Sequence, residues 1–264
     1  MILKAGGKEF DVDTVVFDKD GLLFDSVIFW RELANSRIKA SRKYFNEEQI
    51  EEWMYLMDVK TSRDKNNQVW AVEADPIGVL AVASPDEETI ITGTFIKQNL
   101  NLRWPEARNI SREIFKEGDL NIDLKEAIHP KKGFPRIFQR LRAAGIPYGI
   151  ATSDDLNRAK KSINMFDDFS KVSFTITPKD VSYNKPAPDM LNLIAKKYKM
   201  PLSKIMMIGD SYVDVLMAKN AGSIGVGIPE FEHVRKKMKP FADVILDSLD
   251  DIQIPCSEER GDLQ

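Results

Sequence analysis

Residues 14–21 have the sequence TVVFDKDG, in which a short apolar run ends directly in acidic residues. An apolar, β-branched run of this length is typical of a fully buried parallel strand. Asp18 and Asp20 follow the run, and Gly21 behind them permits a sharp turn of the backbone. Because ligands of open parallel sheets bind beyond the carboxyl ends of the strands, this stretch predicts a functional site at Asp18 and Asp20.

Further along the chain, short apolar runs alternate with helical patterns. The runs occupy residues 148–152, 172–176, 205–209, 224–228 and 244–246. Residues 134–145 and 188–199, which lie between them, have apolar side chains at helical spacing. Strands that alternate with helices predict βαβ units, so we expect an α/β fold with a doubly wound, Rossmann-like parallel sheet.

Residues 25–129 have a different pattern, which predicts an inserted all-helical domain. Apolar residues recur at the three- and four-residue spacing of amphipathic helices, and residues 62–74 (SRDKNNQVWAVEA) are interpreted in the same way. Ser84, followed by a proline and early acids, predicts a helix start. We therefore expect a core domain of residues 1–24 and 130–264 and a helical cap domain of residues 25–129. The tail at 257–264 has no apolar periodicity and is expected to be disordered.

Four groups of polar residues each follow a predicted strand, and one edge of the sheet would bring them together. The groups are Asp18 with Asp20, Thr152 with Ser153, Lys185, and Asp210 with Asp214. Carboxylates that cluster repel one another, and a hard cation with oxygen ligands such as Mg²⁺ resolves that repulsion. Hydroxyl and backbone N–H groups before a helix can cradle phosphate oxygens, and a lysine neutralises their charge. The pattern therefore predicts magnesium-dependent phosphoryl transfer.

These motifs resemble those of a known family. DKDGLLFDS (18–26) is similar to the first motif of the haloacid dehalogenase (HAD) superfamily, and IATSD (150–154) to its second. NKPAPD (184–189) resembles the third motif and GDSYVD (209–214) the fourth, in the family order. The resemblance spans about residues 13–228 and points to the phosphoglycolate phosphatase and β-phosphoglucomutase-like branch. It implies a Mg²⁺-dependent phosphatase that acts through an aspartyl-phosphate.

The resemblance also implies a role for each matching residue. Asp18 would be the nucleophile and a metal ligand, and Asp20 the general acid/base that gives the metal its backbone carbonyl. The phosphoryl group would be held by Thr152, Ser153 and Lys185, with Lys185 also counted as catalytic. Asp210 would be the second metal carboxylate, and Asp214 would support the metal site from nearby.

Two further charged residues have roles that the motifs leave open. Lys19, between the two acids, departs from the usual motif and is expected to be a surface charge or a charge beside the site. Arg63 lies in a segment, 59–64, that resembles the substrate-contacting part of β-phosphoglucomutase-like caps. We predict that Arg63 binds the substrate, with an exposed arginine at a helix start as the alternative.

The composition of the chain argues against several other classes of protein. Lys and Arg total 38 against 41 Asp and Glu, so there is no basic excess for nucleic-acid binding. One cysteine excludes an internal disulfide framework, and no apolar run reaches the length needed to span a membrane. The start of the chain lacks the pattern of a signal peptide, which favours a cytoplasmic protein. The expected partner is a small phosphorylated metabolite, and the expected state is a monomer or a weak homo-oligomer.

Two alternatives to a phosphatase stay open. A β-phosphoglucomutase-like mutase would use the same aspartyl-phosphate but return the phosphoryl group to its substrate. A phosphate-binding regulatory protein without turnover would be expected to lack the nucleophile or the acid, and this sequence has both.

Overall fold

The computed structural model describes residues 1–75 and 78–255. The chain divides into two compact units: one comprises Met1–Asp25 and the chain from Pro130 onward, and the other is Ser26–His129. The tail expected to be disordered, residues 257–264, lies outside the described residues. No helix within the described part of the chain has the length and hydropathy that a membrane span requires.

The strands are, in chain order, β1 (Ile2–Ala5), β2 (Lys8–Asp11), β3 (Thr14–Phe17), β4 (Val59–Arg63), β5 (Val69–Ala74), β6 (Tyr148–Ala151), β7 (Phe174–Ile176), β8 (Ile205–Gly209), β9 (Ile224–Gly227) and β10 (Val244–Ile245). The α-helices are α1 (Ser26–Ser41), α2 (Glu47–Leu56), α3 (Val79–Val82), α4 (Pro85–Asn99), α5 (Trp104–Asn121), α6 (Leu124–Ala127), α7 (Arg136–Ala143), α8 (Leu156–Asn164), α9 (Asp189–Tyr198), α10 (Tyr212–Ala221) and α11 (Glu232–Met238).

The first unit is built on a six-stranded sheet with the order β10-β9-β8-β3-β6-β7. All its pairings are parallel, which confirms the predicted fold class. The chain moves from β3 outward through β6 and β7, then returns to the other side of β3 for β8. The direction of winding therefore reverses at the carboxyl end of β3, which is where open α/β sheets bind their ligands.

Alternate residues of β3 face opposite sides of the sheet, and helices cover both. Val16 packs in one apolar cluster with residues of α9 and α10. Phe17 meets Phe138 of α7 with ring centroids 5.2 Å apart, and Phe138 lies 4.4 Å from the ring of Tyr148. All four residues of β3 are buried, so a charged residue is compatible with this strand only at its ends.

A short antiparallel hairpin, β1–β2, precedes the sheet and was not predicted from the sequence. Lys4 of β1 exchanges backbone hydrogen bonds with Gln253, at 3.0 and 2.8 Å. The hairpin thereby ties the start of the first unit to its last described segment.

The second unit is mostly helical, but the expectation that it is all helical is wrong. Residues 62–74 belong to an antiparallel hairpin of β4 and β5, not to an amphipathic helix. Side chains of β5 alternate, with Val69 and Ala71 buried and Trp70 exposed, which is strand periodicity. The oxygen Oδ1 of Asp64 accepts hydrogen bonds from two backbone N–H groups of the turn, at 2.8 and 2.9 Å, and stabilises it.

The helix start predicted at Ser84 is confirmed. Ser84 is the N-cap of α4, and its side chain accepts a hydrogen bond from the backbone N–H of Glu87. The Glu87 carboxylate accepts one in return from the backbone N–H of Ser84, at 2.7 Å, which completes a capping box.

Candidate active site

Asp18 lies directly beyond the carboxyl end of β3, at the point where the sheet reverses its winding. Its backbone N–H donates to the carbonyl of Ile208 in β8 at 2.9 Å, so the parallel ladder continues to this residue and fixes its position. The side chain is 12% exposed, which leaves the carboxylate accessible on a small area only. A reactive carboxylate here is held by backbone pairing and does not depend on a mobile loop.

Lys185 connects two of the predicted acids. Its Nζ donates to Oδ1 of Asp18 at 2.7 Å and to Oδ1 of Asp214 at 2.7 Å, and its side chain is almost fully buried. Burial by itself would lower the pKa of Lys185, but the charges of Asp18 and Asp214 outweigh burial and raise it. The ammonium is therefore kept charged beside Asp18. The peptide bond between Lys185 and Pro186 is cis.

Three carboxylates meet at this edge of the sheet. Oxygen atoms of Asp18, Asp210 and Asp214 all lie within 4.8 Å of one another. Burial and the neighbouring acids raise the pKa of Asp18 to about 7, against the pull of Lys185. Burial, together with Asp18 and Asp214, also raises the pKa of Asp210 well above its usual range. The three acids thus outnumber the Lys185 ammonium, and a bound cation would relieve the repulsion among their ionised forms.

The donors in this cluster suit a hard cation. Asp18 and Asp210 offer carboxylate oxygens, the ligand type that Mg²⁺ takes in proteins. Asp214 is already committed: Oδ1 accepts from Lys185, and Oδ2 accepts from the backbone N–H and the hydroxyl of Ser211 at 3.1 and 2.7 Å. Asp18 and Asp210 are therefore the carboxylates that fit the metal, while Asp214 holds Lys185 and completes the capping box at the start of α10.

Gly21 allows the first motif to approach the fourth. Its φ is +83°, and a Cβ at this position would lie 2.0 Å from Oδ2 of Asp210. No side chain fits there unless the Asp210 carboxylate moves. The glycine behind the two acids is thus required by the site itself as well as by the turn.

Replacing Gly21 by alanine is expected to lower the free energy of unfolding by about 1–3 kcal/mol, because the left-handed backbone becomes strained. It also displaces Asp210, so Mg²⁺ is expected to bind more weakly in a titration calorimeter. Gly145→Ala is the matched control, since Gly145 has a φ of +69° and a Cβ added there would meet nothing within 4 Å. Equal Mg²⁺ affinity in both variants would contradict the role given to Gly21.

Thr152 and Ser153 follow β6, the strand next to β3, and therefore lie at the same edge of the sheet. Thr152 is buried, and its Oγ1 accepts a hydrogen bond from the backbone N–H of Asp154 at 3.0 Å. Ser153 is exposed. The N-cap of α8 is Asp155, which accepts from the backbone N–H of Asn157 at 2.8 Å. The two hydroxyl residues thus precede the capped helix start and do not cap it themselves.

Asp20 faces a different partner from Asp18. Its Oδ1 lies 2.5 Å from Nζ of Lys19, and the Lys19 side chain is completely buried. Burial raises the pKa of Asp20, and Lys19 opposes that rise. The surface location considered for Lys19 is therefore wrong, and the alternative, a charge beside the site, matches the structure.

Arg63 belongs to β4 of the second unit, so the alternative of an exposed arginine at a helix start is wrong. Its guanidinium binds the Glu51 carboxylate with both Nε and Nη2, at 3.2 and 2.7 Å, and approaches Glu48 at 3.5 Å. To bind an anionic substrate it must exchange these partners. The substrate contact of Arg63 therefore stays a prediction.

Some charged residues near the site were missed by the sequence analysis. Asp154 is buried and lies 2.8 Å from Nζ of Lys19 and 2.5 Å from Nη2 of Arg158. Lys131, which is paired with Glu230 at 2.9 Å, lowers the pKa of Asp210 through its charge. Asp154 lies within the second motif, and a charged residue three positions after a buried strand was the signal that could have identified it.

The raised pKa of Asp18 predicts how stability depends on pH in metal-free protein. The unfolded chain loses the proton near pH 3.8, whereas the folded protein keeps it to about pH 7. Stability therefore falls as the pH rises through this window, because the folded state binds more protons. With EDTA present, we compare the free energy of unfolding of the unaltered protein with that of Asp18→Asn. The difference between them is expected to drop by a few kcal/mol as the pH rises from 3.8 to about 7. Added Mg²⁺ should reverse the drop, and a difference that does not change with pH would contradict the cluster's electrostatics.

Comparisons with known proteins agree with this architecture. Residues 12–222 match the family described as haloacid dehalogenase-like hydrolase. A phosphoglycolate phosphatase from Escherichia coli (strain K12) is 32% identical over 88 residues, which is 33% of this chain and 35% of that protein. The chain spans less than half of the length of the first curated relatives that it matches.

Solved structures show the same fold along nearly the whole chain. A predicted phosphoglycolate phosphatase from Haemophilus somnus 129pt superposes with a TM-score of 0.62 at 18% identity, covering 91% of this chain and 96% of that one. A candidate beta-phosphoglucomutase from Thermotoga maritima gives 0.57 at 16% identity, with 91% and 96% covered. The match along residues 12–222 is the decisive one: this chain belongs to the haloacid dehalogenase-like hydrolase family.

Proposed function

We propose that this protein is a Mg²⁺-dependent phosphatase that hydrolyses a small phosphomonoester through an aspartyl-phosphate on Asp18. One observation carries the proposal: the Asp18 carboxylate is bound to a buried ammonium on one side and lies within 4.8 Å of the Asp210 and Asp214 oxygens on the other. Phosphoryl transfer requires mainly that the reacting groups are positioned and that the phosphoryl charge is neutralised. A nucleophile between the Lys185 ammonium and the proposed metal position meets both requirements. The relative named phosphoglycolate phosphatase supports this class of reaction.

The first step is attack of an Asp18 oxygen on phosphorus. The bond from phosphorus to the ester oxygen breaks, and Asp20 gives its proton to the departing alkoxide so that an alcohol leaves. Lys185 stabilises the charge on the phosphoryl oxygens and holds Asp18 in line. Thr152 and Ser153, at the end of the neighbouring strand, offer hydroxyl and backbone N–H groups to the phosphoryl oxygens.

The second step is hydrolysis of the aspartyl-phosphate. Asp20, now ionised, takes a proton from water, and the water oxygen attacks phosphorus. The bond from phosphorus to Asp18 breaks, which releases inorganic phosphate and returns both carboxyl groups to their starting states. Asp20 thus serves as acid in one step and as base in the next.

Asp18 and Asp210 would hold Mg²⁺, with the backbone carbonyl of Asp20 as a further ligand. When bound, the metal supplies a Lewis acid that neutralises phosphoryl charge and offsets the repulsion between the carboxylates. Asp214 supports the site indirectly through Lys185 and the α10 cap.

The second unit is proposed as the cap domain that selects the substrate. It enters the chain directly after Asp25, at the end of the first motif, and interrupts the sequence of the first unit. Residues for catalysis come from the first unit, so a separately folded insert is free to differ in specificity. Arg63 is the candidate there for contact with an anionic group of the substrate.

Release of inorganic phosphate from a panel of phosphomonoesters tests the function. The panel should include 2-phosphoglycolate, hexose phosphates and p-nitrophenyl phosphate, each with Mg²⁺ and with excess EDTA. We expect release that requires Mg²⁺ and is lost with EDTA. Phosphate release that is unchanged by EDTA, or none from any ester by folded protein, would contradict the proposal.

A phosphomutase is the second candidate, because it needs the same nucleophile and acid. The structural likeness to a candidate beta-phosphoglucomutase concerns the fold and does not favour that reaction. Phosphorus NMR of the products distinguishes the two activities. A hydrolase accumulates inorganic phosphate, whereas a mutase converts one sugar phosphate into its isomer.

A further inference from the structure

A chain of four charged side chains runs from the first motif to α8. It consists of Asp20, Lys19, Asp154 and Arg158, with alternating charge, and is called the ion chain below. Nζ of Lys19 lies 2.5 Å from Oδ1 of Asp20 and 2.8 Å from Oδ2 of Asp154. Nε and Nη2 of Arg158 lie 2.6 and 2.5 Å from Oδ1 of Asp154. The side chains of Lys19 and Asp154 are 0% and 1% exposed, so water cannot replace these contacts.

The inner members of the ion chain are fixed by the fold. Asp154 Oδ1 also accepts a hydrogen bond from the backbone N–H of Asp155 at 2.7 Å, at the start of α8. Burial would raise the pKa of Asp154, but Lys19 and Arg158 outweigh burial and hold the pKa well below its usual range. Asp154 is thus a permanent anion that holds the Lys19 ammonium in one place.

Stability alone does not explain a lysine at this position. Removing an ammonium from water costs free energy, and apolar residues of similar volume often replace buried ion pairs without loss of stability. What an apolar residue cannot do is hold a neighbouring carboxylate in one orientation. The carboxylate that the Lys19 ammonium contacts within the candidate site is that of Asp20.

We propose that Lys19 is a positioning residue for Asp20, and that Asp154 and Arg158 hold Lys19 for this purpose. The ammonium fixes Oδ1 of Asp20, which orients the carboxyl group for proton transfer to the leaving oxygen. The ion chain also reaches the phosphate side of the site, because the backbone N–H of Asp154 donates to Oγ1 of Thr152 at 3.0 Å. This inference rests on the proposed function, in which Asp20 is the general acid.

The test compares two esters that depend differently on a general acid. An alkyl phosphate needs protonation of its leaving oxygen, whereas p-nitrophenyl phosphate has a stable leaving group and needs little. Lys19→Met is expected to lower kcat/KM for the alkyl ester at least about tenfold and for p-nitrophenyl phosphate less than about threefold. Asp20→Asn should show the same selectivity with a larger loss.

Two further variants separate positioning from folding. Arg158→Met removes only the outer, partly exposed member and should give a smaller loss with the same selectivity, even if Lys19→Met folds poorly. Arg142→Met is the control, because it breaks the ion pair with Asp167 at 2.8 Å near the opposite end of β6. Its ratio of the two kcat/KM values should match that of the unaltered protein.

The outcomes are distinct. The positioning role would be overturned if Lys19→Met and Arg158→Met lowered kcat/KM equally for both esters, or lowered it for neither. Either result would leave the proposed phosphatase function intact. If the unaltered protein hydrolyses no ester of the panel, the proposed function fails, and the inference fails with it.

Discussion

Asp18→Asn is expected to lower kcat for phosphomonoester hydrolysis by about 10⁴-fold or more, because an amide cannot form the covalent bond to phosphorus. The same change also removes one carboxylate from the cluster with Asp210 and Asp214. Metal-free protein at pH 8 should therefore be more stable in this variant, since the ionised form of Asp18 is disfavoured by burial. Loss of activity together with gained stability is not what general damage to the fold produces.

Asp13→Asn is the control for that experiment. Asp13 precedes β3 at its other end, has a side chain that is 40% exposed, and lies 3.8 Å from Lys204 as a surface pair. Surface pairs contribute about 0–1 kcal/mol, so this variant should keep its activity and nearly all its stability. An Asp18→Asn protein that retains more than about a hundredth of the activity would rule out Asp18 as the nucleophile.

Lys185→Met is expected to affect both stability and turnover. In the unaltered protein the Lys185 ammonium lies 2.7 Å from each of the carboxylates of Asp18 and Asp214. The variant leaves both carboxylates buried without this shared ammonium. Breaking a buried pair by removing one partner costs about 3–5 kcal/mol of unfolding free energy. Loss of a fixed charge at the phosphoryl group is expected to lower kcat/KM by about 10²–10³-fold. Chemical denaturation with EDTA and steady-state kinetics with Mg²⁺ measure the two effects separately.

Lys179→Met controls for the loss of a lysine charge near the same loop. Its ammonium pairs with Asp155 at 3.2 Å, but the side chain is 84% exposed. Screening by water makes such a pair weak, so neither stability nor kcat/KM should change appreciably. If Lys185→Met behaved like Lys179→Met, the contacts of Lys185 would have no catalytic or structural weight.

The parallel sheet and the convergence of the four motifs could be predicted from sequence because both rest on local patterns. A buried parallel strand is apolar on both faces, and its first polar residue marks its end, as at Asp18. The reversal of winding at β3 then brings Asp18 and Asp210 together without any further information.

The hairpin of β4 and β5 was missed because its apolar residues fit two periods. Val69 and Ala71 are buried, but the residues that follow them, Trp70 and Val72, are also apolar, so the strand alternation is hidden. The turn signal was present in Asp64 and the two asparagines after it, residues that favour turns and the left-handed backbone of Asn67. In this segment the turn-forming residues are a stronger signal than the spacing of the apolar residues.

The burial of Lys19 could not be predicted locally. A lysine between two acids is usually solvated, and its burial depends on Asp154 and Arg158, which only the packing of β6 and α8 beside β3 supplies. The commitment of Asp214 to Lys185 and to the α10 cap has the same origin. Sequence motifs predict which residues form the candidate site, whereas the different contacts of its carboxylates could be seen only in the structure.

Direct detection of the phosphorylated residue tests the central claim. Asp20→Asn, which slows loss of the phosphoryl group, is mixed with p-nitrophenyl phosphate and Mg²⁺, quenched in acid and digested for mass spectrometry. We predict one added phosphoryl group on the peptide that contains Asp18. The double variant Asp18→Asn/Asp20→Asn should carry none on that peptide. Two results would contradict the account. One is release of p-nitrophenol with the phosphoryl group on a residue other than Asp18, and the other is release of p-nitrophenol with no phosphorylated residue in either protein.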